Sequence, residues 1–220
     1  MASRVYADPG ATVGFVRFGG FDAPHDPATE YVVLDVETTG LNPATGERVV
    51  EIAALRTTGD GQVLASLATL LDPKVGTTGA PEVHGITLDM LRGAPSFVDV
   101  WPALAAMMSG AVFVAHNAAF DAAFIAAEAR LAGVAPPTMP GLCTLWLARQ
   151  ALPGLDSYRL SSVRDALGLV HAKAHAAYDD ALVVVEALPE LLGRVAPVRH
   201  FVAPSVRQEL PDDVVTLNRP

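Results

Sequence analysis

The chain has 220 residues, 51% of them hydrophobic and 18% charged, with a formal net charge of −9. That composition excludes a disordered polypeptide and is sufficient for one substantial core. The acidic balance excludes a broad basic face that coats phosphates, so a polyanion would have to be met through locally held cations.

Residues 1–29 carry Gly and Pro without clear periodicity and lack the apolar core of a signal peptide. They are expected to form an extension or linker in which "VGFVRF" (Val13 to Phe18) is at most a short strand. The compact domain is expected over 30–195. "YVVLDVE" from Tyr31 is an apolar, β-branched run of the kind found in buried strands. "ERVVEIAALRT" (Glu47 to Thr57) is a second strand, "TGDG" a turn, and "QVLASLATLLD" a third strand, which together suggest an antiparallel meander. "APEVHGITLDMLRGAP" reads as a loop with one helical turn. "SFVDVWPALAAMM" reads as a helix capped by Ser96, and "GAVFVAHN" as a fourth strand.

"AAFDAAFIAAEARLAG" is a helix ended by Gly133, with Phe120 and Phe124 one turn apart. After a Pro-rich loop, "GLCTLWLARQAL" reads as a fifth, weakly marked strand. "RLSSVRDALGL" and "YDDALVVVEALPELLGRV" are the last two helices, and residues 196–220 read as a tail. A meander followed by alternating helix and strand predicts an α/β fold with a mixed sheet and helices on both faces. The uncharged run from Val100 to Phe120 is broken by Pro102, Ser109, Gly110, His116 and Asn117. It therefore reads as helix, turn, strand and turn, not a membrane span. The lone Cys143 cannot close an internal disulfide, which suits a reducing compartment, and a cytoplasmic protein without a membrane partner is expected.

Asp35 and Glu37 stand at i and i+2, a spacing that puts both carboxylates on one face of a strand. Two acids so close repel unless a proton or cation lies between them, and hard divalent cations prefer carboxylate oxygen. The plainer reading is that both emerge into solvent at the strand end. Asp121 follows the fourth strand in the first turn of a helix, where the helix dipole alone accounts for an acid. His175 and Asp180 are five residues apart and would point about 140° away from each other on one helix. They converge if His175 lies in the loop before the helix; otherwise both belong to a solvated helix start.

Together, "DVETTG", "HNAAFD" and "HAAYDDA" resemble, in that order, the three exonuclease motifs of the DEDDh group. That is the family of the proofreading subunit of bacterial DNA polymerase III. "VHGIT" (Val83 to Thr87) and "CTLWLAR" (Cys143 to Arg149) also look like that family, and the resemblance runs from about Tyr31 to Val195. It implies a ribonuclease-H-like mixed five-stranded sheet flanked by helices, and removal of nucleoside 5′-monophosphates from a 3′ end. It also implies that Asp35, Glu37, Asp121 and Asp180 hold two divalent metal ions, Mg²⁺ or Mn²⁺, with His175 as the general base.

In the family, the turn after the first motif lies under the terminal nucleotide. Thr38 is accordingly expected to offer a backbone N–H to the 3′ hydroxyl, Leu41 to wedge against the last base, and Phe120 to pack nearby. Thr38 as a turn former, Leu41 as a core residue and Phe120 as helix core are the competing readings. Asp179 is set aside because the family spacing selects Asp180, and His116 is expected to be a turn residue of the second motif. Arg159, Arg164 and Lys173 are candidates for phosphate contacts. The expected partner is a single-stranded or frayed DNA 3′ end. The alternatives are the same chemistry on RNA, and a non-catalytic subunit bound to a DNA polymerase.

Overall fold

A computed structural model describes residues 11–18, 29–170 and 176–195. Lys173 and the predicted base His175 lie outside them. Among the described residues the strands are β1 (Thr12–Val13), β2 (Val16–Phe18), β3 (Glu30–Thr38), β4 (Val49–Thr58), β5 (Val63–Leu70), β6 (Val112–Ala115) and β7 (Met139–Cys143). The helices are α1 (Pro81–His84), α2 (Phe97–Met108), α3 (Ala119–Leu131), α4 (Thr144–Ala151), α5 (Leu160–Leu167) and α6 (Ala177–Arg194).

The strands form one mixed sheet in the order β1-β2-β7-β6-β3-β4-β5. The meander β3–β4–β5 is antiparallel, whereas β6 and β7 run parallel to β3. Strand β3 is buried on both faces, which is why it reads as a continuous apolar run. Val32, Leu34 and Val36 face one core, which also holds Phe113, Phe124, Ile125 and Leu104. Tyr31 and Val33 face the other, with Leu147, Val184 and Leu188. Helices α2 and α3 cover the first face and α4 and α6 the second.

The expected five strands are present, the fifth only as Met139–Cys143 because Thr144–Ala151 of "GLCTLWLARQAL" turn into helix α4, and the sheet has seven. The extra pair, β1 and β2, comes from the N-terminal stretch: β2 adds in parallel to β7, with Phe18 opposite Gly141. Strands of two and three residues are too short to leave a readable alternation. What holds them is burial of Phe15, Val16 and Phe18, with Phe15 and Phe18 edge-on to Phe113 at 6.0 and 6.5 Å. Gly141 permits the addition, because a Cβ there would stand 2.2 Å from Val16 Cγ1. Strand β7 was faint in the sequence for a related reason. It carries Pro140 and Gly141, and proline cannot donate to a ladder.

Helix α2 begins as expected at Ser96, whose backbone N–H and hydroxyl both donate to the Asp99 carboxylate, the former at 2.9 Å. Buried Arg56 binds Glu30 at 2.7 Å and donates to the carbonyls of Met107 and Ser109 at the helix's other end. No helix among the described residues is long and apolar enough to cross a membrane.

Candidate active site

The site lies where β3 ends beside the starts of α3 and α6. Asp35 and Glu37 emerge from β3 on the face that carries Tyr31 and Val33, as the two-residue repeat requires. Asp180 occupies the first turn of α6, packed on that same face. One carboxylate oxygen from each of Asp35, Glu37 and Asp180 lies within 4.8 Å of the others. All three residues are half-buried. Their side chains come from segments roughly 145 residues apart in the chain, so tertiary structure alone brings them together.

Asp121 is outside that trio but coupled to it. It is 3% exposed, in the first turn of α3. Burial pushes its carboxyl up to about 8, and Glu37 adds to the rise; its own N–H and that of Val36 bond to it and hold the rise back. Asp35 is also raised well above the ordinary carboxylate range. Burial is the main cause, followed by the charges of Asp121, Asp180, Glu37 and Glu51.

Such a constellation is unfavourable for four ionised acids in isolation. It suits a hard divalent cation, which replaces the missing positive charge and takes oxygen ligands. The donor set therefore fits the metal ions that the motifs imply.

The turn after β3 is built for close approach. The ladder with β4 slips between Glu37 and Thr38, and such an irregularity re-aims the chain. The Thr38 hydroxyl donates to Gly40 O at 2.6 Å. Thr39 exchanges two bonds with Arg48: its N–H donates to the Arg48 carbonyl at 2.8 Å, and its hydroxyl accepts from the Arg48 N–H at 2.9 Å. Leu41 is 85% exposed, so it is not a core residue. Phe120 is half-buried, its ring 4.8 Å from that of the fully buried Phe124.

His116 behaves as a turn residue. Its Nε2–H donates to the Tyr158 carbonyl at 2.9 Å, a partner that can only accept, and Nδ1 faces the Thr144 hydroxyl at 3.1 Å. Burial lowers its pKa to about 4, against a smaller opposing effect of the Tyr158 bond. Asn117, next in the chain, takes φ +66°, a left-handed turn that asparagine tolerates. His84 is buried and ties its own loop, Nε2 to Thr78 O and Nδ1 accepting from Ile86 N–H, each at 3.0 Å. Of the arginines expected at phosphates, Arg164 pairs with its neighbour Asp165 at 2.7 Å.

Two acids escaped the sequence reading. Glu128 accepts from Arg48 in a two-pronged ion pair at 2.8 and 2.7 Å, and from Val49 N–H at 3.1 Å. It anchors α3, and hence Asp121, to the start of β4. Glu51 lies opposite Glu37 on β4, 6% exposed. A single acid inside the apolar run "VVEIAAL" was the available signal.

A mixed sheet flanked by helices, with acids from the end of β3 and the starts of α3 and α6 brought together, is a fold and site of the exonuclease class. Comparison with known proteins agrees. The Exonuclease family profile matches residues 32–188. The PolC-type DNA polymerase III of Clostridium perfringens is 36% identical over 160 residues, which are 72% of this chain and 11% of that protein. The DNA polymerase III subunit epsilon of Treponema pallidum is 32% identical over 186 residues, 81% of this chain and 86% of that protein. Among solved structures, Exonuclease X in complex with 5′ overhanging duplex DNA matches with a TM-score of 0.59 at 25% identity, covering 74% of this chain and 91% of that one. The chain belongs to the Exonuclease family. It spans about a tenth of the PolC-type relative and most of the epsilon subunit.

Proposed function

We propose that the protein is a divalent-metal-dependent 3′–5′ exonuclease that releases nucleoside 5′-monophosphates from single-stranded or frayed DNA. The observation that carries this reading is the trio of Asp35, Glu37 and Asp180 oxygens within 4.8 Å, with buried Asp121 beside them. These four acids would hold two cations, Mg²⁺ or Mn²⁺, whose chemistry is to neutralise charge on the attacking and leaving oxygens of the phosphodiester. His175 takes the role of general base, suited by an ordinary pKa of about 6.5.

The chain's remaining part is positioning. Thr38 presents its backbone N–H to the terminal sugar, exposed Leu41 offers an apolar edge for the last base, and Phe120 closes the other side. With a net charge of −9, grip on the polymer is concentrated at this end of the strand, not spread over a basic face. Similarity to the epsilon subunit along most of its length supports proofreading beside a DNA polymerase. Work on DNA fits a cytoplasmic protein whose Cys143 is a buried free thiol.

The test uses the purified chain and a 5′-labelled single-stranded DNA with Mg²⁺ or Mn²⁺. Stepwise shortening from the 3′ end is expected, and Asp35→Ala should slow it by about a thousandfold or more. Shortening that persists in Asp35→Ala overturns the assignment. A matched RNA oligonucleotide, cut faster than the DNA, would move the substrate to RNA.

A further inference from the structure

We infer that Glu51 is a positioning residue for the acid cluster: it clamps the start of α6 to β4 and thereby sets Asp180 against Asp35 and Glu37. The inference rests on the exonuclease reading above, because it assigns Glu51 to the same site.

The geometry begins with strand register. Glu51 lies directly opposite Glu37, and Ala53 opposite Asp35, in the antiparallel β3–β4 ladder. Residues paired in this way share a face of the sheet, so Glu51 emerges on the side of Asp35 and Glu37, where α6 packs. There its Oε2 accepts the backbone N–H of Ala177 at 3.1 Å. Ala177 is the first residue of α6, and the residue before it, Ala176, has no side chain that can cap.

A helix start leaves N–H groups without intrahelical partners. In α6 one of them is satisfied by an acid 126 positions away. A carboxylate at a helix N-terminus is also favoured by the helix dipole.

The link to function is short. Asp180 stands three residues after Ala177, and its own N–H closes the first turn on the Ala176 carbonyl at 3.0 Å. A displacement of the helix start is therefore a displacement of Asp180. An apolar residue would be the cheaper occupant for packing alone, since Ala177, Ala181 and Val184 all belong to the surrounding core. A fifth acid close to Asp35, itself buried, adds repulsion. What Glu51 offers here and an apolar side chain cannot is an acceptor for the Ala177 N–H.

The test compares Glu51→Gln, Glu51→Ala and Glu51→Asp with the unaltered chain, using titration calorimetry with Mn²⁺ and steady-state cleavage of a DNA oligonucleotide. Glu51→Gln keeps an oxygen acceptor at the same reach and should bind Mn²⁺ and turn over within about threefold of the original. Glu51→Ala should bind Mn²⁺ about 10- to 100-fold more weakly and lose kcat by a similar factor, with KM for the oligonucleotide little changed. Glu51→Asp retains the charge but withdraws the acceptor by one methylene, and should follow Glu51→Ala. It also keeps the inference testable if the alanine variant does not fold.

Normal Mn²⁺ binding and turnover in Glu51→Ala, or in a folded Glu51→Asp, overturns the inference. Loss in Glu51→Gln equal to that in Glu51→Ala also overturns it, because charge and not the hydrogen bond would then matter. Failure of the exonuclease reading looks different. Cleavage would persist in Asp35→Ala, whereas the calorimetric comparison of Glu51 variants needs no cleavage at all.

Discussion

Asp121 is where burial and charge meet most sharply. With its carboxyl raised to about 8, against an ordinary value near 3.8, the metal-free folded protein holds a proton there that the unfolded chain has released. The folded state thus binds more protons between roughly pH 4 and pH 8, and stability falls as pH rises through that window. Asp121→Asn removes the titrating group while keeping its shape. The variant should melt higher than the original at pH 8 without metal, by about 2 kcal/mol or more, and should bind Mn²⁺ more weakly. Differential scanning fluorimetry and calorimetry check the two halves. An asparagine variant that melts lower at pH 8 would mean that the carboxylate is stabilised by something other than a proton or cation.

At the scale of elements, the site depends on how the turn after β3 is buttressed. Gly79, in the loop after β5, takes φ +85°, and a Cβ there would lie 2.1 Å from the Thr39 carbonyl oxygen. Neither the dihedral nor the space tolerates a side chain. Gly79→Ala should cost about 2–3 kcal/mol of stability, read from a denaturant midpoint. It should also raise KM for the oligonucleotide, since Thr39 adjoins Thr38 in the proposed sugar contact. An unchanged midpoint would show that the loop relaxes away from the turn. The acid motifs were legible at this scale because each joins an apolar strand or helix to an abrupt polar break. The buttress was not, because nothing near Thr39 in the chain points to Gly79. Glu51 and Glu128 were missed for the same reason: each acts through a partner about 80 or more positions distant.

For the whole molecule, titrations of opposite sign set the pH profile. His116, depressed to about 4, is neutral in the folded state where the unfolded chain is protonated, so its contribution is full above pH 6.5 and is lost as pH falls towards 4. Below pH 6.5 this opposes the trend from Asp121; above it, only the acids remain. The metal-free protein should therefore lose about 2 kcal/mol, or roughly 5 °C in Tm, between pH 6.5 and 8. Millimolar Mn²⁺ should restore most of that loss at pH 8 and add less at pH 6.5, where protons compete with it. A metal-free Tm that rises between pH 6.5 and 8 would contradict the burial of Asp121. At the opposite edge of the sheet, Phe18→Ala should reduce stability by about 3 kcal/mol and leave kcat and KM alone. A loss of activity at full stability would show that the N-terminal strands reach the site.

The three motifs in their order, the alternation that puts Asp35 and Glu37 on one face, and the caps that bound the helices are local properties of the chain. Neighbours a few residues apart create them, and they were sufficient to indicate the family, the fold class and the candidate acids. The convergence of Asp180 with the β3 pair, the burial that raises Asp121, the addition of β1 and β2 to the sheet, and the grip of Glu51 on α6 were decided only in three dimensions. Each depends on desolvation or on a hydrogen bond between groups far apart in the chain, and neither leaves a local pattern in the order of residues.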